Sequence, residues 1–378
     1  MVAHQCLYGD FLTYEQQVAK ILTNYSLTIQ PGQEVAIFGD VAAKPLLKEI
    51  YAEVLRLGAH PTLVPMFGEF KEIYFKYASE KQLSHESYIS KALYSTTDHI
   101  INVWTETNTK RLSAVDPHKI TMNQKANTAI IKTLMDREAR GELSWTLTVY
   151  PSNSLAQEAS MSLLDYNDFV YKACHLDSDD PIADWKAISD HQATICEWLN
   201  TKKKLHFVGE DTDLTMSIDG RTWVNCDGKK NFPDGEVFTG PVEDTVNGTI
   251  RFTYPLIYLG NEIEDVRLTF KDGEVVDSSA TKGEALLKQV LEIDEGSKRV
   301  GEIAIGTNYG ITRFTKHMLF DEKIGGTMHL ALGRSIPESG GTNMSAIHLD
   351  ILKDMTNGGK VYADDELFYE NGKFLIGE

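Results

Sequence analysis

The chain has 378 residues, of which 42% are hydrophobic and 24% are charged. This composition is typical of a globular protein and excludes a largely disordered chain, a collagen-like repeat and a coiled coil. The formal net charge of −18 repels phosphate groups, so we expect neither general nucleic-acid binding nor docking on anionic membranes.

The first half of the chain predicts helices that alternate with short strands. Strands separated by helices usually pair in parallel, so we predict an α/β N-terminal domain, a parallel sheet with flanking helices. The predicted elements are, in chain order, a helix opened by a capping box at Thr13–Gln16, a strand at Glu34–Phe38, a helix that ends near Gly58, strands at Pro61–Pro65 and Ile100–Trp104, a helical stretch at Ile120–Arg140 and a strand at Trp145–Tyr150.

The distribution of glycine predicts a different second half. Six glycines lie in residues 1–200 and 22 in residues 201–378; because helix interiors disfavour glycine, the second half should be rich in strands and turns. The polar segment Asp177–Pro181 and a helix from about Asp184 to Lys202 precede this change. We predict a boundary within 177–204, with an N-terminal domain over 1–190 and an α+β, strand-rich C-terminal domain over 191–378.

The cysteines and the hydropathy predict a cytoplasmic protein. The four cysteines have no CxxC spacing, so neither a disulfide framework nor a thiolate zinc site is expected. They are Cys6, Cys174, Cys196 and Cys226. The first residues lack the basic and apolar segments of a secretion signal, and no apolar run is long enough to span a membrane.

Three segments of the second half alternate aliphatic residues with a Glu or His followed by small or acidic residues. They are Gly301–Gly306 (GEIAIG), Met328–Gly333 (MHLALG) and Ile347–Ile351 (IHLDI). In a strand, successive side chains point to opposite faces, so each segment buries an aliphatic face and presents Glu302, His329, or His348 with Asp350 on the other.

These residue types are ligands of first-row metal ions, and carboxylates readily bridge two ions. A turn at Pro233–Pro241 (PDGEVFTGP) leads into Glu236, which offers a further carboxylate. Taken singly, each residue has an ordinary alternative: a hydrogen-bonded structural His or a solvated Glu. The recurrence of the pattern strengthens the metal interpretation and leaves these alternatives open.

Four segments that contain these residues resemble the aminopeptidase T family, the thermophilic-type metalloaminopeptidases. Their order and spacing agree with the family through the second half of the chain, whereas the first half agrees mainly in size and in its α/β character. The segments are Gly235–Gly248 (GEVFTGPVEDTVNG), Gly301–Asn308 (GEIAIGTN), Glu322–Gly333 (EKIGGTMHLALG) and Gly340–Asp350 (GGTNMSAIHLD).

The resemblance implies an exopeptidase whose C-terminal domain is the metal-binding catalytic domain, with two divalent metal ions held side by side. The implied ligands are Glu236, Glu302, His329, His348 and Asp350. Zinc is the first choice of metal, with cobalt and manganese close behind, because mixed His and carboxylate ligands suit all three. We assign catalytic roles to Glu302 and Glu236, with Glu243 as an alternative general base.

Two positions depart from the family pattern. The family has a Tyr seven residues after the first ligand His, and Ile336 occupies that position here; isoleucine can neither bind a metal nor donate a hydrogen bond, so Tyr309 is a candidate substitute donor. Leu349 replaces an aromatic residue but should point away from the metals. His317 is expected to be structural or to support a ligand.

The leading prediction is therefore a metal-dependent aminopeptidase that releases N-terminal amino acids from peptides with a free N-terminus. The resemblance also implies a homodimer. Two alternatives remain open: a dinuclear amidase or esterase of other specificity, and a relative that keeps the fold but has weak or no peptidase activity because of Ile336.

Overall fold

The structure, a computed structural model, describes residues 12–377. The helices are α1 (Tyr14–Ile21), α2 (Lys44–Arg56), α3 (Gly68–Tyr77), α4 (Glu80–Leu83), α5 (Tyr88–Thr96), α6 (Pro117–Ala126), α7 (Thr128–Ala139), α8 (Asn153–Glu158), α9 (Leu163–Ala173), α10 (Pro181–Leu199), α11 (Glu284–Leu291) and α12 (Met318–Asp321). Within residues 12–377, none of them is both long enough and apolar enough to cross a membrane.

The strands are short. They are β1 (Glu34–Asp40), β2 (His60–Met66), β3 (His99–Trp104), β4 (Ser144–Val149), β5 (Lys204–Gly209), β6 (Thr212–Ser217), β7 (Val224–Cys226), β8 (Asn231–Phe232), β9 (Glu236–Thr239), β10 (Asn247–Arg251), β11 (Leu256–Tyr258), β12 (Asn261–Ile263), β13 (Arg267–Lys271), β14 (Glu274–Ser279), β15 (Val300–Gly306), β16 (Thr327–Gly333), β17 (His348–Asp354), β18 (Lys360–Ala363), β19 (Glu366–Glu370) and β20 (Lys373–Phe374).

The first compact unit of the chain ends at Ser154. Its strands pair in parallel in the order β2-β1-β3-β4, so the predicted α/β character and parallel sheet are confirmed. The Thr13 side chain caps α1 in the predicted capping box, and Gly58 follows α2 in the left-handed region, at φ +75°, where glycine carries no steric penalty.

The predicted helical stretch at Ile120–Arg140 is helical, with one interruption. The stretch Ile120–Arg140 forms two helices, α6 and α7, which are separated at Asn127. Asparagine is a poor helix former because its side-chain amide competes for backbone hydrogen bonds. Here the Asn127 amide donates to the carbonyl oxygen of Asn123 at 2.9 Å.

The second compact unit begins at Leu155, earlier in the chain than the predicted boundary, because α9 and α10 pack with the strand-rich region. The ring of Phe169 packs on Phe320 with centroids 5.5 Å apart, and Trp185 lies 5.3 Å from Phe232. The thiols of Cys174, Cys196 and Cys226 are free; Cys6 lies outside the described residues.

Two large antiparallel sheets and the two-stranded sheet β11-β12 form the second unit, which confirms the predicted strand-rich fold. An eight-stranded sheet has the order β14-β13-β10-β6-β5-β18-β19-β20, and a five-stranded sheet has the order β17-β16-β15-β9-β7. Apolar side chains of both sheets form one hydrophobic core; Phe207 and Leu268 come from the larger sheet, and Ile303 and Leu330 from the smaller.

Candidate metal centre

The five-stranded sheet brings the five predicted ligands to one face. Its other face is buried in the core through aliphatic residues such as Ile303, Ile305, Leu330 and Ile351. Because side chains alternate along a strand, the intervening residues face away from that core. These residues include Glu236 on β9, Glu302 on β15, His329 on β16, and His348 and Asp350 on β17.

Small residues make room for these side chains. In the strand register, each of the five lies opposite an alanine or a glycine on a neighbouring strand, and the missing side chains leave space between the polar groups. The pairs are Glu236–Gly306, Glu302–Ala331, His329–Ala304, His348–Gly333 and Asp350–Ala331.

The polar atoms form two overlapping groups that share Glu302. Glu236, Glu302 and His329 form one group, and Glu302, His348 and Asp350 form the other; the ligand atoms within each group lie within 4.8 Å of one another. Oε1 of Glu302 lies 3.2 Å from Nε2 of His329, and Oε2 lies 3.6 Å from Nε2 of His348. The two carboxylate oxygens therefore face different imidazoles.

Two further separations are compatible with ligand atoms around one ion. Nε2 of His329 lies 3.6 Å from Oε2 of Glu236, and Nε2 of His348 lies 3.4 Å from Oδ1 of Asp350. These distances are long for hydrogen bonds. Two ligand atoms in tetrahedral coordination, each about 2.1 Å from zinc, would lie about 3.4 Å apart.

Several of these atoms are buried without a hydrogen-bond partner. Within residues 12–377, Oε2 of Glu236, Oε2 of Glu302, Oδ1 of Asp350 and Nδ1 of His329 are in this position. Buried acceptors normally find partners, because an unsatisfied one costs free energy. The donor set, imidazole nitrogens and carboxylate oxygens with free acceptor capacity, fits divalent metal ions.

A family described as thermophilic metalloprotease (M29) matches residues 13–374. The chain belongs to this family. The predicted resemblance to the aminopeptidase T family is thereby confirmed, and divalent metal ions follow from the membership.

Relatives and a solved structure are similar over nearly the whole chain. Aminopeptidase 2 of Geobacillus stearothermophilus is 30% identical over 88% of this chain and 90% of the relative, and Aminopeptidase PepS of Streptococcus thermophilus is 28% identical over 96% and 98%. The structure of wild-type AmpT from Thermus thermophilus has a TM-score of 0.83 and 23% identity, covering 96% of this chain and 99% of that one.

The carboxylates of this cluster favour positive charge on the imidazoles beside them. Burial alone would lower the pKa of each imidazole, but the adjacent carboxylates raise it to about 9 for His329 and to about 10 for His348. Burial would raise the pKa of Asp350, yet the two imidazoles hold it below its usual range. The site therefore attracts cations.

Backbone contacts orient two of the five residues. Nδ1 of His348 lies 2.7 Å from the carbonyl oxygen of Arg334, which leaves Nε2 to face the cluster, the arrangement common for metal-binding histidines. The side-chain amide of Gln192 on α10 donates to the backbone oxygens of Cys226 and Glu236, at 3.0 and 3.1 Å. It thereby ties the ends of β7 and β9 together.

A lysine and two further acids at the centre were missed by the sequence reasoning. Lys323 is 1% exposed; its Nζ lies 2.9 Å from Oε1 of Glu236 and 3.7 Å from Oδ1 of Asp234, and it also pairs with Glu322. Burial raises the pKa of Asp234 to about 7 and that of Glu322 to about 8, although Lys323 opposes both shifts. The sequence signal that could have indicated them is the charged pair Glu322 and Lys323, which is followed directly by one apolar residue and two glycines.

The carboxylate of Glu243 is fully engaged in holding a loop. Its Oε1 accepts hydrogen bonds from the backbone of Thr342 at 2.5 Å and of Asn343 at 3.1 Å, and its Oε2 lies 2.5 Å from Arg221. Burial would raise the pKa of Glu243, but these bonds and the Arg221 charge bring it below its usual range. The carboxylate of Glu243 therefore holds the loop between β16 and β17.

The structure does not bring the other singled-out residues into the cluster. The hydroxyl of Tyr309 donates to the carbonyl oxygen of Gly372 at 2.8 Å, so this donor is already occupied. His317 is packed on Phe320, and burial lowers its pKa to about 4. Leu349 packs against the core, as expected from the strand pattern.

We predict that Ala331→Val disrupts metal binding without unfolding the chain. Ala331 lies opposite both Glu302 and Asp350, so added methyl groups would enter the space between these carboxylates. A matched control is Ala363→Val, in the core on β18, for which overpacking costs about 1–3 kcal/mol of stability. Metal content and urea unfolding are measured for both; unchanged metal content in Ala331→Val would contradict the assignment.

Proposed function

We propose that the five side chains bind two divalent cations and that the chain uses them to release N-terminal amino acids from peptides. The prediction of a metalloaminopeptidase is supported by the M29 membership and by relatives that are named aminopeptidases. Zinc is the first candidate metal, followed by cobalt and manganese, because the donors suit all three.

The observation that carries the two-ion proposal is the shared position of Glu302. Its two oxygens face different histidines, as expected for a carboxylate that bridges two ions. One ion would be held by Glu236, Glu302 and His329, and the other by Glu302, His348 and Asp350.

The proposed chemistry is hydrolysis of the first peptide bond. Two such ions polarise a carbonyl group and lower the pKa of a water. Glu236 and Glu302 would hold the ions that bind the attacking water, and they are our candidates for accepting its proton. The excess of carboxylates also favours a substrate with a positively charged, free α-amine. We further propose a homodimer in the cytoplasm.

The experiment that tests the activity compares free and blocked substrates. We expect the metal-loaded protein to hydrolyse aminoacyl-p-nitroanilides and to leave their N-acetyl counterparts intact, because only the former carry the α-amine. Initial rates on matched pairs of substrates measure this. Equal rates on both would instead favour an amidase of other specificity.

Removing ligands should remove metal. We expect His348→Ala and Asp350→Ala to lose bound metal, because each takes a donor from the same group. His206→Ala is the control: His206 also pairs with an aspartate, Asp213 at 2.8 Å, but on the larger sheet. Elemental analysis after gel filtration measures the bound metal of each variant. Unchanged metal content in both ligand variants would exclude these residues as ligands.

A relative with weak peptidase activity is the second candidate function, and Ile336 is the observation that favours it. Ile336 is half-buried, immediately before the 3₁₀ turn Pro337–Ser339, in the loop that follows the His329 strand. If a missing hydroxyl donor limits turnover, Ile336→Tyr should raise kcat by about 100- to 1,000-fold, the usual range for one positioned donor. Unchanged kcat with both metals bound would show that this position does not limit the reaction.

A further inference from the structure

Lys323 is a buried cation whose partners are almost all acidic side chains of the centre. Burying an ammonium group is costly unless carboxylates compensate it. Lys323 is 1% exposed, and Glu236, Asp234 and Glu322 surround its Nζ. Neither of the two proposed ligand groups includes this lysine, so metal binding by itself does not explain why it is buried here.

The ammonium group lies within a third cluster of potential metal ligands. Cys226, Asp234 and Glu236 have ligand atoms within 4.8 Å of one another, and Nζ of Lys323 contacts both carboxylates of this cluster. The charge of Lys323 thus supplies the neutralisation that a third metal ion would otherwise provide.

The contact divides the two oxygens of Glu236 between two tasks. Oε1 accepts a hydrogen bond from Nζ of Lys323 at 2.9 Å. Oε2 has no hydrogen-bond partner among the described residues and lies 3.6 Å from Nε2 of His329. Lys323 therefore holds the carboxylate in the orientation that offers a single oxygen to the cluster.

We propose that Lys323 is a positioning residue that fixes Glu236 as a one-oxygen metal ligand and takes the place of a third cation. This inference rests on the proposed function, because it assumes that Glu236 binds metal. Two effects oppose each other when the lysine is removed. Its repulsion of the metal ions disappears, which strengthens binding, but Glu236 loses its fixed orientation, which weakens binding. The proposal requires the second effect to be the larger.

The test is the affinity of the full-length protein for Co²⁺, measured by competition with a chromophoric chelator. We expect Lys323→Met to weaken the binding of one of the two ions by about 10- to 100-fold, the usual effect of losing a group that orients a ligand. We also expect the visible absorption of the cobalt-loaded protein to change, since a released Glu236 can bind through both oxygens.

A matched control separates positioning from the general cost of losing a buried lysine. Lys353 is 2% exposed, and its Nζ donates to the backbone oxygens of Glu210 and Arg251, at 3.1 and 3.0 Å. Lys353→Met should lower the stability but leave the cobalt affinity and spectrum unchanged.

The outcomes are distinct. Equal or tighter cobalt binding by Lys323→Met, with an unchanged spectrum, overturns the role of Lys323 while the two-ion centre stands. Failure of the unmodified protein to bind cobalt overturns the proposed function itself. If Lys323→Met does not fold, Lys323→Gln is used, whose uncharged amide is one bond too short to hold Glu236 as lysine does; it should bind one ion less tightly than the unmodified protein, and wild-type affinity together with a wild-type spectrum would again overturn the inference.

Discussion

Negative charge concentrated on one buried face of a sheet is the constraint on which the second unit depends. Glu236, Glu302 and Asp350 are each less than a tenth exposed, and their carboxylates lie too close together to remain uncompensated. The imidazoles and the ammonium group of Lys323 provide compensating charge. The alanines and glycines opposite the carboxylates leave space between them. The opposite face of the same strands is aliphatic and secures the sheet in the core. Stability and chemistry are thereby separated onto the two faces.

The period of two in a strand made much of this readable from the sequence. GEIAIG, MHLALG and IHLDI each alternate an aliphatic side chain with a polar or small one, and the structure places them on adjacent strands β15, β16 and β17. The parallel α/β sheet was readable for a similar reason, since strand and helix patterns alternate in the first half. Local patterns of this kind depend only on neighbours within a few residues.

What the sequence did not reveal depends on contacts between distant residues. Lys323 and Glu236 are 87 positions apart, and no local sequence pattern predicts that the ammonium group is buried between carboxylates. Glu243 could be taken for a possible base because its partners, Arg221 and Thr342, are distant in sequence, and the local sequence gave no sign of these contacts. The interruption at Asn127 was missed because the apolar spacing continues across it. The packing of α9 and α10 with the strands of the second unit depends on aromatic contacts such as Phe169 with Phe320.

The shared position of Glu302 has a consequence for how the centre would fill if it binds the two ions that we propose. A carboxylate that faces two sites has both oxygens oriented once either site is occupied, so entry of the first ion organises part of the second site in advance. Loading of the pair would then be cooperative: a half-filled protein would be scarce at equilibrium, and titration would pass from empty to fully occupied over a narrow range of free metal.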